Sequence, residues 1–264
     1  MRRMSIVLSI SMRPQLLTAM VVLLLCGAGF MALGSAFAST EARQIHTAAA
    51  IKPLSTLQAP PSVPAVDCSV QACMALTFDD GPFATHTLHV LSILERHQVR
   101  ATFFVVGVHV HGNEALLRYM YQNGHEIGNH SWDHSNFTKL TTAQMYQQID
   151  WTQAEVARTG VPAPKLFRPP YGAADASVRQ NVPLTFAMWN IDPEDWRAKK
   201  PQDIVDHVRA NAKPGGVVDL HDVNQVTIEA LDPIITDLKQ HYKLVTFSEM
   251  FNLPPGQQGT FYGR

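Results

Sequence analysis

The sequence predicts a single α/β domain on a parallel sheet, and three observations carry that expectation. Short apolar strands alternate with helical stretches between Met74 and Thr246, the pattern of a sheet with crossover helices, open or closed into a barrel. The 264 residues, 46% hydrophobic, are ample for a buried core. The residues able to do chemistry fall just beyond the strands, where parallel sheets place their functional loops.

The elements follow in order. Met74–Phe78 is a short apolar strand, and Leu88, Leu91 and Leu94 have helical spacing within a helix ending at His97. Ala101–Val106 (ATFFVV) reads as a buried strand. A helix over Glu114–Asn123 stops at Gly124, and Glu126–Gly128 is another short strand. Thr141-Thr142 opens a long polar-faced helix toward Thr159, with Thr142 expected as its N-cap. Leu166–Phe167, Leu184–Trp189, Val217–Leu220 and Lys243–Thr246 supply the remaining strands, with a helix over Ile228–His241 between the last two.

The flanks read differently. Arg2, Arg3 and Arg13 precede an apolar run from Leu16 to Leu33, followed by Ala36-Phe37-Ala38. A positive start, an apolar stretch and an A-x-A ending describe a signal peptide over residues 1–38; the alternative is an uncleaved membrane anchor. Cys26 follows Leu24-Leu25 rather than a small residue, which argues against lipid attachment there. Residues 39–66, with Pro53, Pro60, Pro61 and Pro64, read as a linker. The domain is expected over 67–253, and 254–264 as a loose tail. Cys68 and Cys73, with four residues between them, stand at the domain entrance, suited to one local disulfide in an oxidising compartment. Three of the 21 basic residues lie in the leader, so the remainder carries 18 basic against 22 acidic side chains. That net charge of −4 excludes an electrostatic basis for nucleic-acid binding.

Five segments carry the chemistry. In Thr77-Phe78-Asp79-Asp80-Gly81-Pro82, adjacent carboxylates need a cation or an arginine to absorb their charge, although a solvated Asp-Gly-Pro turn accounts for the same residues. His130 and His134 share a face if their segment is helical, a metal-ligand spacing. With one carboxylate from the first segment they make a three-ligand site open to water. Arg168-Pro169-Pro170-Tyr171-Gly172 fixes the amide of Tyr171 and offers Arg168 to a carboxylate, or is simply a rigid loop. In Asp192-Pro193-Glu194-Asp195-Trp196, Trp196 is a pocket wall or core, while Trp189 is assigned to core. In Leu220-His221-Asp222, His221 is a general acid tuned by carboxylates or a capped strand-end histidine. The other histidines, His109 among them, have no such partners and default to surface or core.

Taken together, TFDDGP, HSWDH, RPPYG, DPEDW and LHD, with the flanking ATFFVVG and GHEIGN, resemble the polysaccharide deacetylase family, carbohydrate esterase family four, over Met74 to Phe251. The resemblance implies a distorted (β/α) barrel and a metal-dependent hydrolase removing acetyl from N-acetylglucosamine-containing glycans. It implies Asp79 as catalytic base, and Asp80, His130 and His134 as ligands of a divalent ion, zinc. Arg168 would orient Asp79 and be supported by Asp195. The Tyr171 amide would stabilise an oxyanion, and His221 would be the general acid, backed by Asp222. Trp196, Leu220 and Asp219 would line the substrate pocket. The family usually has an apolar residue two positions before the LHD histidine; here it is Asp219, which is expected to narrow or repolarise the acyl pocket. Such an enzyme would be exported, periplasmic or secreted, meeting membrane only through an uncleaved leader. Its partner would be peptidoglycan, a chitin-like oligomer or an exopolysaccharide. Hydrolysis of another amide or an O-acetyl ester, and glycan binding without catalysis, are the competing readings.

Overall fold

A computed structural model describes residues 57–61, 66–254 and 256–263. The expected signal segment, Cys26 and most of the linker lie outside the described residues. Among those described, no helix is long and apolar enough to cross a membrane.

Among the described residues, eight strands and eight α-helices follow the alternation. They are β1 (Cys73–Asp79), α1 (Ala84–His97), β2 (Thr102–Val105), α2 (Gly107–Val110), α3 (Glu114–Gln122), β3 (Glu126–Asn129), α4 (Thr142–Arg158) and β4 (Leu166–Phe167). Then come α5 (Ala176–Asn181), β5 (Thr185–Ala187), α6 (Pro201–Asn211), β6 (Gly216–His221), α7 (Gln225–Leu238), β7 (Lys243–Val245), α8 (Phe247–Phe251) and β8 (Thr260–Phe261). All strand pairs are parallel, in the order β6-β1-β2-β3-β4-β5-β8, with β7 on the lower half of β1. The sheet curls: beyond β5, Ile191 bridges in parallel to Val218 of β6, drawing the two ends of the sheet together. This is the expected distorted barrel.

Period-two alternation sorts each strand into two layers. On β1, Met74, Leu76 and Phe78 join the apolar layer beneath α1, α3, α6 and α7, together with Val218 and Leu220 of β6. Cys73, Ala75 and Val217 face the barrel interior with Phe104, Leu166 and Phe247. By the same parity, Thr77, Asp79, Asp219 and His221 belong to the interior row, and register sets Thr77 beside Asp219 and Asp79 beside His221. The chain thus brings its polar residues to one end of a packed barrel.

Several local expectations change. Thr141, not Thr142, caps α4: the Gln144 N–H donates to Thr141 Oγ1 at 3.3 Å, and the Thr141 N–H donates to Gln144 Oε1 at 2.9 Å. This is a reciprocal capping box. Thr141→Ala is expected to cost about 1 kcal/mol in urea unfolding, and Thr142→Ala much less. The supposed tail supplies β8, which pairs Thr260 with Phe186 and Phe261 with Ala187. Cys68 and Cys73 form the expected disulfide, with Cα atoms 5.5 Å apart; across so short a loop it stabilises by at most about 2 kcal/mol.

Candidate active site

The first strand delivers both acids. Asp79 ends β1 on the interior face, and Asp80 follows in the left-handed region at φ 78°. His109 holds that turn through a contact of 2.7 Å between Nδ1 and the Asp80 carbonyl, a role its sequence surroundings did not reveal. Gly81 is required by close approach: a Cβ there would stand 2.5 and 2.6 Å from the Asp222 carboxylate oxygens.

Two imidazoles converge on Asp80. His130 follows β3, and its Nδ1 pairs with the Arg168 carbonyl at 2.8 Å, which leaves Nε2 facing the acids. Nε2 lies 3.6 Å from Asp80 Oδ1 and 3.5 Å from Asp79 Oδ2. His134 Nε2 lies 3.3 Å from the same Asp80 Oδ1. The connecting segment is a turn, with Ser131 at φ 73° and His134 at φ 63°, so the spacing of four works through a tight loop rather than a helix. The donor atoms of Asp80, His130 and His134 lie within 4.8 Å of one another. Asp80 Oδ1 is buried without a hydrogen-bond partner. Burial lowers the pKa of His134 and pushes that of His130 down to about 3, keeping both lone pairs free of protons. Two neutral imidazoles and an orphaned carboxylate oxygen fit a divalent cation with open coordination positions.

Arg168 anchors the other side of Asp79. Its fully buried guanidinium donates from Nη1 to Asp79 Oδ1 and Thr77 Oγ1, each at 2.8 Å, and to Asp219 Oδ1 at 2.5 Å. Nε donates to the Ala187 carbonyl at 2.8 Å, and the group lies over the rings of Phe104 and Trp189 at 4.1 and 5.2 Å. The expected support of Arg168 by Asp195 is therefore incorrect; Asp219 takes that place because it shares the interior row with Asp79. One guanidinium faces two buried carboxylates. Burial raises Asp79 to about 6 against the opposing pull of Arg168. Burial and then the Asp79 charge push Asp219 well above the usual carboxylate range.

Asp195 serves His221 instead. Its Oδ1 meets His221 Nδ1 at 2.7 Å, and its Oδ2 accepts the His221 N–H at 2.8 Å and the Thr227 hydroxyl at 2.6 Å. The bridge of Ile191 to Val218 sets the following segment beside β6, and Asp195 meets His221 at the end of that strand. Burial alone would lower His221, but the hydrogen bond and charge of Asp195, then Asp219 and Asp79, outweigh it and raise the imidazole to about 10. Asp222 does not back His221. As the next residue along the chain it turns away, accepts the Thr87 hydroxyl and sits beneath Gly81, with burial raising its carboxyl to about 7.

A cavity of about 450 Å³ joins these groups, lined by Asp79, Asp80, His130, His134, Asp219 and His221. Trp196 and Tyr171 stand exposed at its rim; Tyr171 is at φ 61° with its ring 4.6 Å from that of His134. Leu220 is not in the pocket: alternation turns it outward into the layer beneath the helices. Trp189 and Asp192 line the cavity unforeseen. Parity from the inward Ala187 identifies Trp189, and Asp192 belongs to the same segment as Asp195.

Comparison with known proteins is consistent with this geometry. Residues 67–184 match the family described as polysaccharide deacetylase. The chain is 41% identical over 179 residues to a peptidoglycan-N-acetylglucosamine deacetylase of Listeria monocytogenes, an alignment covering 67% of this chain but 38% of that protein. It is 36% identical over 186 residues to a peptidoglycan-N-acetylglucosamine deacetylase of Bacillus cereus, covering 67% of this chain and 87% of that protein. A solved T48 deacetylase with substrate superposes with a TM-score of 0.70 at 35% identity, covering 74% of this chain and all of the other.

Proposed function

The chain belongs to the polysaccharide deacetylase family, and from that premise we propose that it is an exported, zinc-dependent hydrolase removing acetyl groups from N-acetylglucosamine in peptidoglycan. The observation that carries the reading is the meeting, in one cavity, of a three-donor metal group with two separate acid–base pairs, Asp79–Arg168 and His221–Asp195. A module that only bound glycans would have no use for that combination. The names of the similar deacetylases support peptidoglycan as the glycan. The N-terminal segment and the Cys68–Cys73 disulfide support export to the periplasm or beyond.

Asp80, His130 and His134 would hold the ion. When bound, it supplies Lewis-acid polarisation of an amide carbonyl and a water acidic at neutral pH. Arg168 ties Asp79 Oδ1, so Oδ2 faces the His130 side of the cavity, where it accepts a proton from the attacking water. The Tyr171 amide, held by Pro169 and Pro170, is the donor for the developing oxyanion; one such donor is typically worth about 10²–10³ in rate. Asp195 keeps His221 protonated, and His221 gives its proton to the departing nitrogen as the C–N bond breaks. Acetate and a glucosamine amine are the products.

The protonation states set the pH profile. Activity should rise as Asp79 ionises, with the acid limb at or below about 6 because a cation beside it can only lower it. It should fall as His221 loses its proton near 10. His221→Gln should remove the alkaline limb together with most of the rate, read from kcat/KM between pH 5 and 10.5. The glycan assignment is checked on purified peptidoglycan: equimolar acetate and free glucosamine amine support it. Release from chitin oligomers but not from peptidoglycan would overturn that part.

A further inference from the structure

The apolar surface of the cavity comes from Tyr171, Trp189 and Trp196, whereas the end of β6 contributes a carboxyl group, Asp219, to its lining. Strand β6 rises about 3.3 Å per residue, so the Asp219 Cα lies roughly 7 Å below that of His221 on the same face, and Asp219 is 3% exposed. A pyranose ring is wider than an acyl tail and would rest at the open mouth, where Trp196 and Tyr171 are exposed. The part of an N-acyl sugar that extends past the carbonyl carbon toward the floor is therefore the acyl tail. No aliphatic side chain among the described residues lines this cavity.

Asp219 is oriented there in a defined way. Oδ1 is held by Arg168 Nη1 at 2.5 Å, while Oδ2 makes no hydrogen bond among the described residues and the residue lines the cavity. The donors of Asp79, Asp219 and His221 also converge within 4.8 Å. That second cluster is no cation site, because the Arg168 guanidinium already sits against both carboxylates.

We propose that Asp219 is a specificity-determining residue that selects N-acyl groups bearing a hydroxyl on the carbon next to the carbonyl, of the glycolyl type, over acetyl. The inference rests on the deacylase reading above and names its substrate class more closely. A carboxyl oxygen accepts a hydrogen bond in either protonation state. A methyl group pressed against Oδ2 displaces water and returns nothing, whereas a hydroxyl replaces the lost bond. Sites built to hydrogen-bond a substrate hydroxyl reject the analogue lacking it far more strongly than apolar pockets reject an extra group. Hydrolysis is otherwise unchanged: water adds to the carbonyl, the C–N bond breaks, and glycolate leaves in place of acetate.

The test compares kcat/KM of the zinc-loaded protein on glucosamine tetramers carrying N-glycolyl, N-acetyl or N-formyl groups. Wild type should favour glycolyl over acetyl by at least about tenfold. Asp219→Leu should reverse the order, and Asp219→Asn, which keeps an acceptor oxygen, should retain part of the preference. The wild-type ratio decides alone if a variant fails to fold. Acetyl equal to or better than glycolyl in wild type would overturn the inference while leaving the deacetylase reading intact. Formyl ahead of both would also overturn it, since that order reports a steric floor. Release of no acyl group at all would remove the deacylase reading and the inference with it.

Discussion

Asp79→Asn should lower kcat by about 10²- to 10⁴-fold, the usual contribution of a positioned general base, while KM and bound zinc stay near wild type. The three metal donors are other residues, and an asparagine Oδ1 can still accept from Arg168 Nη1 in place of the carboxylate. What disappears is the second carboxylate oxygen, 3.5 Å from His130 Nε2, which is proposed to take the water proton. Steady-state kinetics with zinc counted per protein separates this from loss of metal. A variant within tenfold of wild type would mean that another group is the base.

Arg168→Met should be the most destabilising single change in the site. Thr77, Asp79, Asp219 and the Ala187 carbonyl all accept from this one buried side chain. Removing one partner of a buried charge network typically costs about 3–5 kcal/mol. The sign of the pH dependence follows from the acids. Both carboxyls have folded-state pKa values raised above their unfolded ones, so the stability they contribute is present at low pH and declines as pH rises through the folded values. Without Arg168 those values rise further, and the deficit should be larger at pH 8 than at pH 5. The double variant Arg168→Met with Asp219→Leu should recover part of the loss. Urea unfolding of the metal-free proteins at both pH values measures this; a loss below about 1 kcal/mol at pH 8 would contradict the network.

Much of the barrel was legible because its signals are local. Apolar runs such as ATFFVV mark strands, and spacing such as Leu88, Leu91 and Leu94 marks helices. Helix α6 is less visible because only Ile204, Val205 and Val208 of its eleven residues are buried apolar side chains. Two-residue β8 is too short to show any period. In the site, the residue types and their strand-end positions were readable, whereas several partnerships were not. Which acid Arg168 holds depends on register across the sheet, which sets Thr77 beside Asp219. Which acid holds His221 depends on a bridge between Ile191 and Val218 that no local pattern announces. Asp222 looks like a partner of His221 by adjacency, yet it lies one residue past the end of β6 and turns to Thr87, to the opposite side as consecutive strand residues do. The same rule excludes Leu220 from the cavity that contains Asp219.

The strand-end cluster of Asp80, His130 and His134 with Asp79 and His221 is proposed as a metal-dependent deacetylase site. Acetate release from an N-acetylglucosamine tetramer by the protein, stripped of metal and then given one equivalent of zinc, tests it most directly. The expected result is no release from the stripped protein, restored turnover at one zinc per chain, and none from His130→Ala at the same zinc concentration. Equal release with and without metal, or restoration that survives loss of His130, would contradict it.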